Sequence, residues 1–170
     1  MRGYDVAMPE EAIGRTGIPS ERRLKPERPR DELGRPQPWE DENRLLLEDF
    51  DSLSLKENHE LGRQHFNAGR FFPAHEAWET AWKQARNTDE AEFFKGLSQL
   101  GAGYVHLLRG NAHGAITLLR RAARRVREYP SPHREVETQE VSKGAEADAA
   151  AVERGELTPG PDAAGRPPRV

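Results

Sequence analysis

The chain has no cysteine at all. Disulfides, thiolate nucleophiles and Cys-ligated zinc are therefore excluded, and a reducing compartment fits the composition. Apolar residues are also scarce, 35% against 32% charged, so the whole chain cannot pack into one core. Nowhere do 18 apolar residues run together, and the first residues mix charges without an apolar stretch, which predicts a soluble, cytoplasmic protein with no membrane partner. No Gly-rich phosphate loop follows a strand pattern, and no serine sits in a nucleophile-elbow context.

What is present is concentrated. Eight of the twelve aromatic residues fall between Lys56 and Glu128, and that stretch is mildly basic, with twelve basic and eight acidic residues. Residues 1–55 carry nine against thirteen, and residues 129–170 five against eight. The composition predicts three parts. Residues 1–39, rich in Pro, Arg and Glu, read as an extended or disordered lead-in, within which Arg28 to Pro36 has the alternative of an ordered strap pinned by Asp31 and Leu33. Residues 40–129 read as a helical bundle domain. Residues 130–170, dominated by Ala, Glu, Gly and Pro, read as a disordered tail with a frayed helix near Glu146 to Arg154.

Within the central part, apolar spacing predicts four helices. The first covers about Lys56 to Ala68, with Leu61, His65 and Phe66 inward. The second starts near Pro73, whose fixed φ suits a first helical turn, and places Ala74, Trp78, Ala81, Trp82 and Ala85 on one buried side. Glu76, Thr80, Lys83 and Gln84 are expected in solvent. The third runs from about Glu90 to Arg109, with Asp89 and Glu92 at capping-box spacing. The fourth follows Gly110 and Asn111, which read as a helix stop and a cap. Overlaying the chain on itself at an offset of 41 residues pairs Gly62 with Gly103, His65 with His106, Gly69 with Gly110 and Trp78 with Leu119. Two such hairpins resemble the helical pair of tetratricopeptide repeats, but two units fall short of a stable solenoid. The expected fold is all-α: a compact bundle of four to five helices with disordered N- and C-terminal tails.

At the same residues the chain resembles a known family. His75-Glu76-x-Trp78-Glu79-x-x-Trp82, Phe94-Lys95-Gly96-Leu97-x-Gln99 and His106-x-x-Arg109-Gly110-Asn111-x-x-Gly114-Ala115 look like the signature of domain of unknown function family 309, small all-helical proteins of bacteria and archaea. The resemblance spans about residues 58–127. It implies the fold and no activity.

The residues that bear chemistry lie on two helix faces. His75 and Glu79 are four apart and so neighbours, and Lys95, Gln99 and His106 share a face of the third helix. Together they predict a polar, ligand-binding cleft. One reading is a hydrogen-bonded network that fixes the bundle. A second is a site for a small anion or peptide carboxylate on Lys95, Gln99 and His106. A third is a metal held by two histidines and a carboxylate: His75-Glu76-x-x-Glu79 is similar to a zincin helix, but Glu79 replaces the second histidine and Trp78 is expected to add bulk beside it. No catalytic residue and no cofactor is assigned by the sequence, and the metal question stays open at this point. The favoured function is a protein- or peptide-interaction module, with a homo-oligomer also open. The alternatives are a small metal-dependent or acid-base hydrolase using His75, Glu79 and His106, and RNA or DNA binding through the Arg120 to Arg127 face. Nucleic acid is disfavoured, because no aromatic residues interleave those arginines to stack bases.

Overall fold

A computed structural model describes residues 27–163 and 165–170; most of the expected lead-in, residues 1–26, lies outside them. Five helices follow a single 3-10 turn at Phe50–Ser52: α1 (Leu55–Asn67), α2 (Phe71–Gln84), α3 (Ala91–Leu108), α4 (Ala112–Val126) and α5 (Thr138–Glu153). Each packs chiefly on the next, and β structure among the described residues is limited to two isolated bridges. The all-α bundle expected from the apolar spacing is what forms.

Local chemistry explains the element ends. Ser54 and Glu57 build a capping box on α1, which the sequence reading passed over. Asn111 caps α4 by accepting from the Gly114 amide at 2.9 Å. The Asp89–Glu92 box does not form: the amide of Glu90 donates to the Thr88 hydroxyl at 3.2 Å instead, and Glu92 is drawn away to Arg125 at 2.8 Å.

The repeat is visible in how α1 and α3 close. Gly69 and Gly110 turn at φ of +76° and +81°, where a side chain would be strained. The next amides, of Arg70 and Asn111, donate back to the carbonyls of His65 and His106 at 2.8 and 2.9 Å. In both closures the Nδ1 of that histidine accepts from the side chain five residues on, Arg70 Nε at 2.9 Å and Asn111 Nδ2 at 2.9 Å.

The core runs through all five helices. Trp78 is fully buried, and it fits only because Gly62 lies opposite: a Cβ there would come within 2.5 Å of the indole nitrogen. Gly96 and Gly103 open α3 in the same way to Val126 and Leu119 of α4. The expectation that Trp78 crowds the polar cleft is corrected by this packing, since its ring points into the core.

Two tails differ from expectation. The segment from residue 27 to 47 is an ordered strap, the alternative reading of Arg28 to Pro36. Asp31, 1% exposed, accepts from the amides of Leu33 and Arg35 at 3.0 and 2.8 Å and from Arg35 Nε at 2.6 Å. Burial alone would raise the Asp31 carboxyl, but these donors together hold it below the usual carboxylate range. The strap rests on α2 and α3: a Cβ on Gly34 would overlap the Phe72 ring, and Arg109 donates to the Leu33 carbonyl. The second correction concerns residues 130–170. They contain α5, which buries Val141, Ala145, Ala149 and Val152 against the rest of the core. A stripe of alanine and valine is weakly apolar, so its period is faint in sequence; it works because α4 presents Ala122 and Ala123. The chain then returns along the bundle, where Asn67 grips the backbone of Val170 through two hydrogen bonds of 2.7 and 2.9 Å.

Candidate functional site

The buried side of α2, made by Ala74, Ala77, Trp78 and Ala81, fixes how the helix is rotated. That rotation leaves His75, Glu76 and Glu79 at the rim, with side chains 24%, 35% and 32% exposed. The α3 backbone comes close here because residue 101 is glycine: a Cβ would stand 3.0 Å from the His75 nitrogen and 3.1 Å from its Cα. The approach brings His75 Nδ1 to 3.0 Å from the Ser98 carbonyl. The Ser98 hydroxyl oxygen lies equally close to Nδ1, at 3.0 Å, and 3.5 Å from the His75 carbonyl; with the hydroxyl proton on that carbonyl, both Ser98 oxygens accept from an Nδ1–H.

Nε2 of His75 then faces two carboxylates, 3.4 Å from Glu79 Oε2 and 3.7 Å from Glu76 Oε1. The three groups offer ligand atoms that all lie within 4.8 Å of one another. The other oxygen of Glu79 takes the Lys83 ammonium at 2.9 Å, and this carboxylate holds Lys83 above its ordinary range.

The structure brings together only part of the expected cleft. His75 and Glu79 meet as anticipated, and Glu76 joins them although the wheel assigned it to solvent. Lys95 and Gln99 are turned elsewhere. Lys95 lies 5.0 Å over the Trp82 ring and 3.9 Å from Glu92, while Gln99 accepts from Arg125 at 3.1 Å. His106 stands close enough to His75 to feel its charge. Burial first, then Arg109 and His75, pull the His106 imidazole below its ordinary value. Its Nδ1 accepts from Asn111, so its proton lies on Nε2. Ser98 contributes through its carbonyl and its hydroxyl, both 3.0 Å from His75 Nδ1; Glu76 was signalled only by adjoining His75 on a helix rim.

The arginine face of α4 is largely satisfied within the molecule. Arg120 binds Glu146 and Glu153 at 3.1 and 2.7 Å, and Arg125 binds Glu92. Those two carboxylates of α5 thus pair with Arg120, while Arg121 and Arg124 are exposed.

The fold and this rim define a small all-helical bundle with a half-buried His-Glu-Glu cluster on its second helix. Residues 60–118, from α1 into α4, match the family model described as domain of unknown function (DUF309). No curated protein and no solved structure matches the chain. Among the described residues no helix is long and apolar enough to cross a membrane.

Proposed function

We propose that the protein binds a divalent cation at His75, Glu76 and Glu79 and presents the ion to an oxygen-bearing ligand. The observation that carries this reading is the meeting of His75 Nε2, whose opposite ring nitrogen is engaged by Ser98, with two carboxylate oxygens at 3.4 and 3.7 Å. Ligands about 2.0–2.1 Å from a tetrahedral zinc lie about 3.3 Å from each other, so the spacing already approximates a ligand set. Metal-bound imidazoles characteristically donate their second N–H to a carbonyl or carboxylate, as His75 does. Three protein donors leave a coordination position for water or substrate. Metal-assisted hydrolysis is the reaction class such an open site supports, with the Nε2–H of His106 as a nearby donor. The competing account is a proton on Nε2, which makes the cluster an ion-paired staple.

Metal analysis of protein purified without a histidine tag, with calorimetric titration of Zn²⁺ and Mn²⁺, separates the two. One equivalent should bind, and His75→Ala and Glu79→Gln should each weaken it by at least about ten-fold while the fold persists. Wild-type protein that is metal-free and binds neither ion at millimolar concentration overturns the reading.

A second reading, a protein partner, is supported by Trp39, Leu46 and Leu47, which are 61%, 81% and 42% exposed on the strap. Affinity purification from the native cell with wild type and Trp39→Ser/Leu46→Ser tests it: a partner retained equally by both removes that surface.

A further inference from the structure

Between the strap and the start of α2 lies a cavity of about 500 Å³ whose walls include Arg28, Arg30, Leu45, Leu47, Phe72 and Glu76. This volume suits a small molecule. The strap is built to hold its two guanidinium groups in place. Arg28 Nε donates to the Gln37 carbonyl at 2.6 Å and Arg30 Nη1 to the Gly34 carbonyl at 2.9 Å. The Arg30 backbone is fixed by Asn43 Oδ1 at 2.9 Å and by the Leu45 amide, which donates to its carbonyl at 3.2 Å. These partners are carbonyls and amides, which orient the arginines without neutralising them. Among the described residues neither arginine has a carboxylate within ion-pair distance, whereas Arg35 on the same strap is paired with Asp31 at 2.6 Å. Leu45, Leu47 and Phe72 supply the apolar part of the lining.

We infer that this groove binds a carboxylate carried on an apolar chain, with the carboxylate on Arg28 and Arg30 and the chain along Leu45, Leu47 and Phe72. A planar carboxylate matches the guanidinium fork and is singly charged. Glu27 and Glu76 at the rim disfavour a dianion such as phosphate. The site goes beyond the cation reading and does not depend on it, though Glu76 borders both. A free alkanoic acid and the C-terminal residue of a peptide share the required chemistry.

Calorimetric titration of the full chain with octanoate, N-acetyl-leucine and their carboxamides tests the inference. At least one acid should bind, with its amide weaker by at least about ten-fold. Octanoate binding more tightly identifies a free acid as the ligand, and N-acetyl-leucine binding more tightly identifies a peptide terminus. Arg28→Gln/Arg30→Gln should lose about ten-fold in affinity for the acid, while an unchanged far-UV circular dichroism spectrum shows that the bundle is still folded. Leu47→Asp should block the apolar half of the groove. Arg121→Gln/Arg124→Gln, exposed on α4 and outside the lining of this cavity, should change nothing. Equal binding of acid and amide, no binding of either acid at millimolar concentration, or wild-type affinity in the double arginine variant would each overturn the inference. Zinc titration of that double variant keeps the two proposals apart, because it should match wild type whether or not the acid binds.

Discussion

The indole N–H of Trp78 donates to Nδ1 of His59 at 3.2 Å in the core, and the opposite nitrogen of the same ring donates to the Arg134 carbonyl at 2.9 Å. Both positions of a neutral imidazole are thereby taken, and a second proton would have to displace the indole. Burial is the main cause that pulls His59 below its ordinary value of 6.5; the Arg134 carbonyl and Glu60 oppose it, and the Arg63 and Arg134 charges add to it. The unfolded chain therefore takes up this proton at a higher pH than the folded one. The His59 contribution to stability is complete above 6.5 and is lost as pH falls below it toward the folded value, at no more than about 1.4 kcal/mol per pH unit. Urea denaturation from pH 8 to pH 5 should show this loss, and His59→Gln should start lower at pH 8 but decline less steeply.

Tyr104→Phe should destabilise the protein by about 1–3 kcal/mol, because it leaves a buried carboxylate oxygen without its donor. The phenol donates to Asp148 Oδ2 at 2.7 Å, and Asp148 is 8% exposed. Burial and the Asp148 charge push the phenol far above its ordinary range, so it remains a donor at every working pH. Adding Asp148→Asn, which leaves no buried charge and keeps an acceptor for the Arg166 amide at 3.4 Å, should cost little more. Chemical denaturation of the single and double variants measures the difference.

Gly101→Ala should both destabilise the bundle and disturb cation binding. The new methyl would press on the His75 backbone at 3.0–3.1 Å, and α2 is held behind by fully buried Ala74, Ala77 and Trp78. Relief requires α2 to move off α3, which lengthens the bond from His75 to the Ser98 carbonyl. A loss of about 1–3 kcal/mol is expected, together with weaker zinc binding in calorimetry. An unchanged zinc affinity would show that the Ser98 contact does not orient the ligand.

Asn67→Ala should release the end of the return segment while leaving the bundle folded. Its two hydrogen bonds to Val170 are worth about 0.5–1.5 kcal/mol each. Hydrogen exchange should quicken for residues 165–170 and stay slow in α3. Asn67→Asp keeps the acceptor for the Val170 amide but sets a second oxygen against the Val170 oxygen, and should release the segment at least as much as Asn67→Ala.

The fold was legible where large side chains recur at helical spacing, as with Phe93, Leu97, Leu100 and Tyr104 on α3. It was illegible where packing relies on small ones. The stripe of Val141, Ala145, Ala149 and Val152 has too little contrast with its neighbours to announce a buried face, so α5 was read as tail. The strap was hidden for another reason: its order rests on Asp31 collecting backbone amides, a property of one turn's geometry. At the site, helical spacing was enough to join His75 with Glu79. It could not show that Arg125 diverts Gln99, that Trp82 and Glu92 hold Lys95, or that Ser98 closes on Nδ1 of His75.

The twin closures of α1 and α3 carry an asymmetry. In the first copy the remaining nitrogen of His65 is engaged by the Glu48 carboxylate at 3.0 Å, which fastens the incoming chain to the hairpin. In the second copy the equivalent nitrogen of His106 meets no such anchor among the described residues. The two like closures thus leave one imidazole serving as a rivet while the other, among the described residues, keeps a ring nitrogen at liberty, so loss of the first should loosen the incoming chain and loss of the second should not.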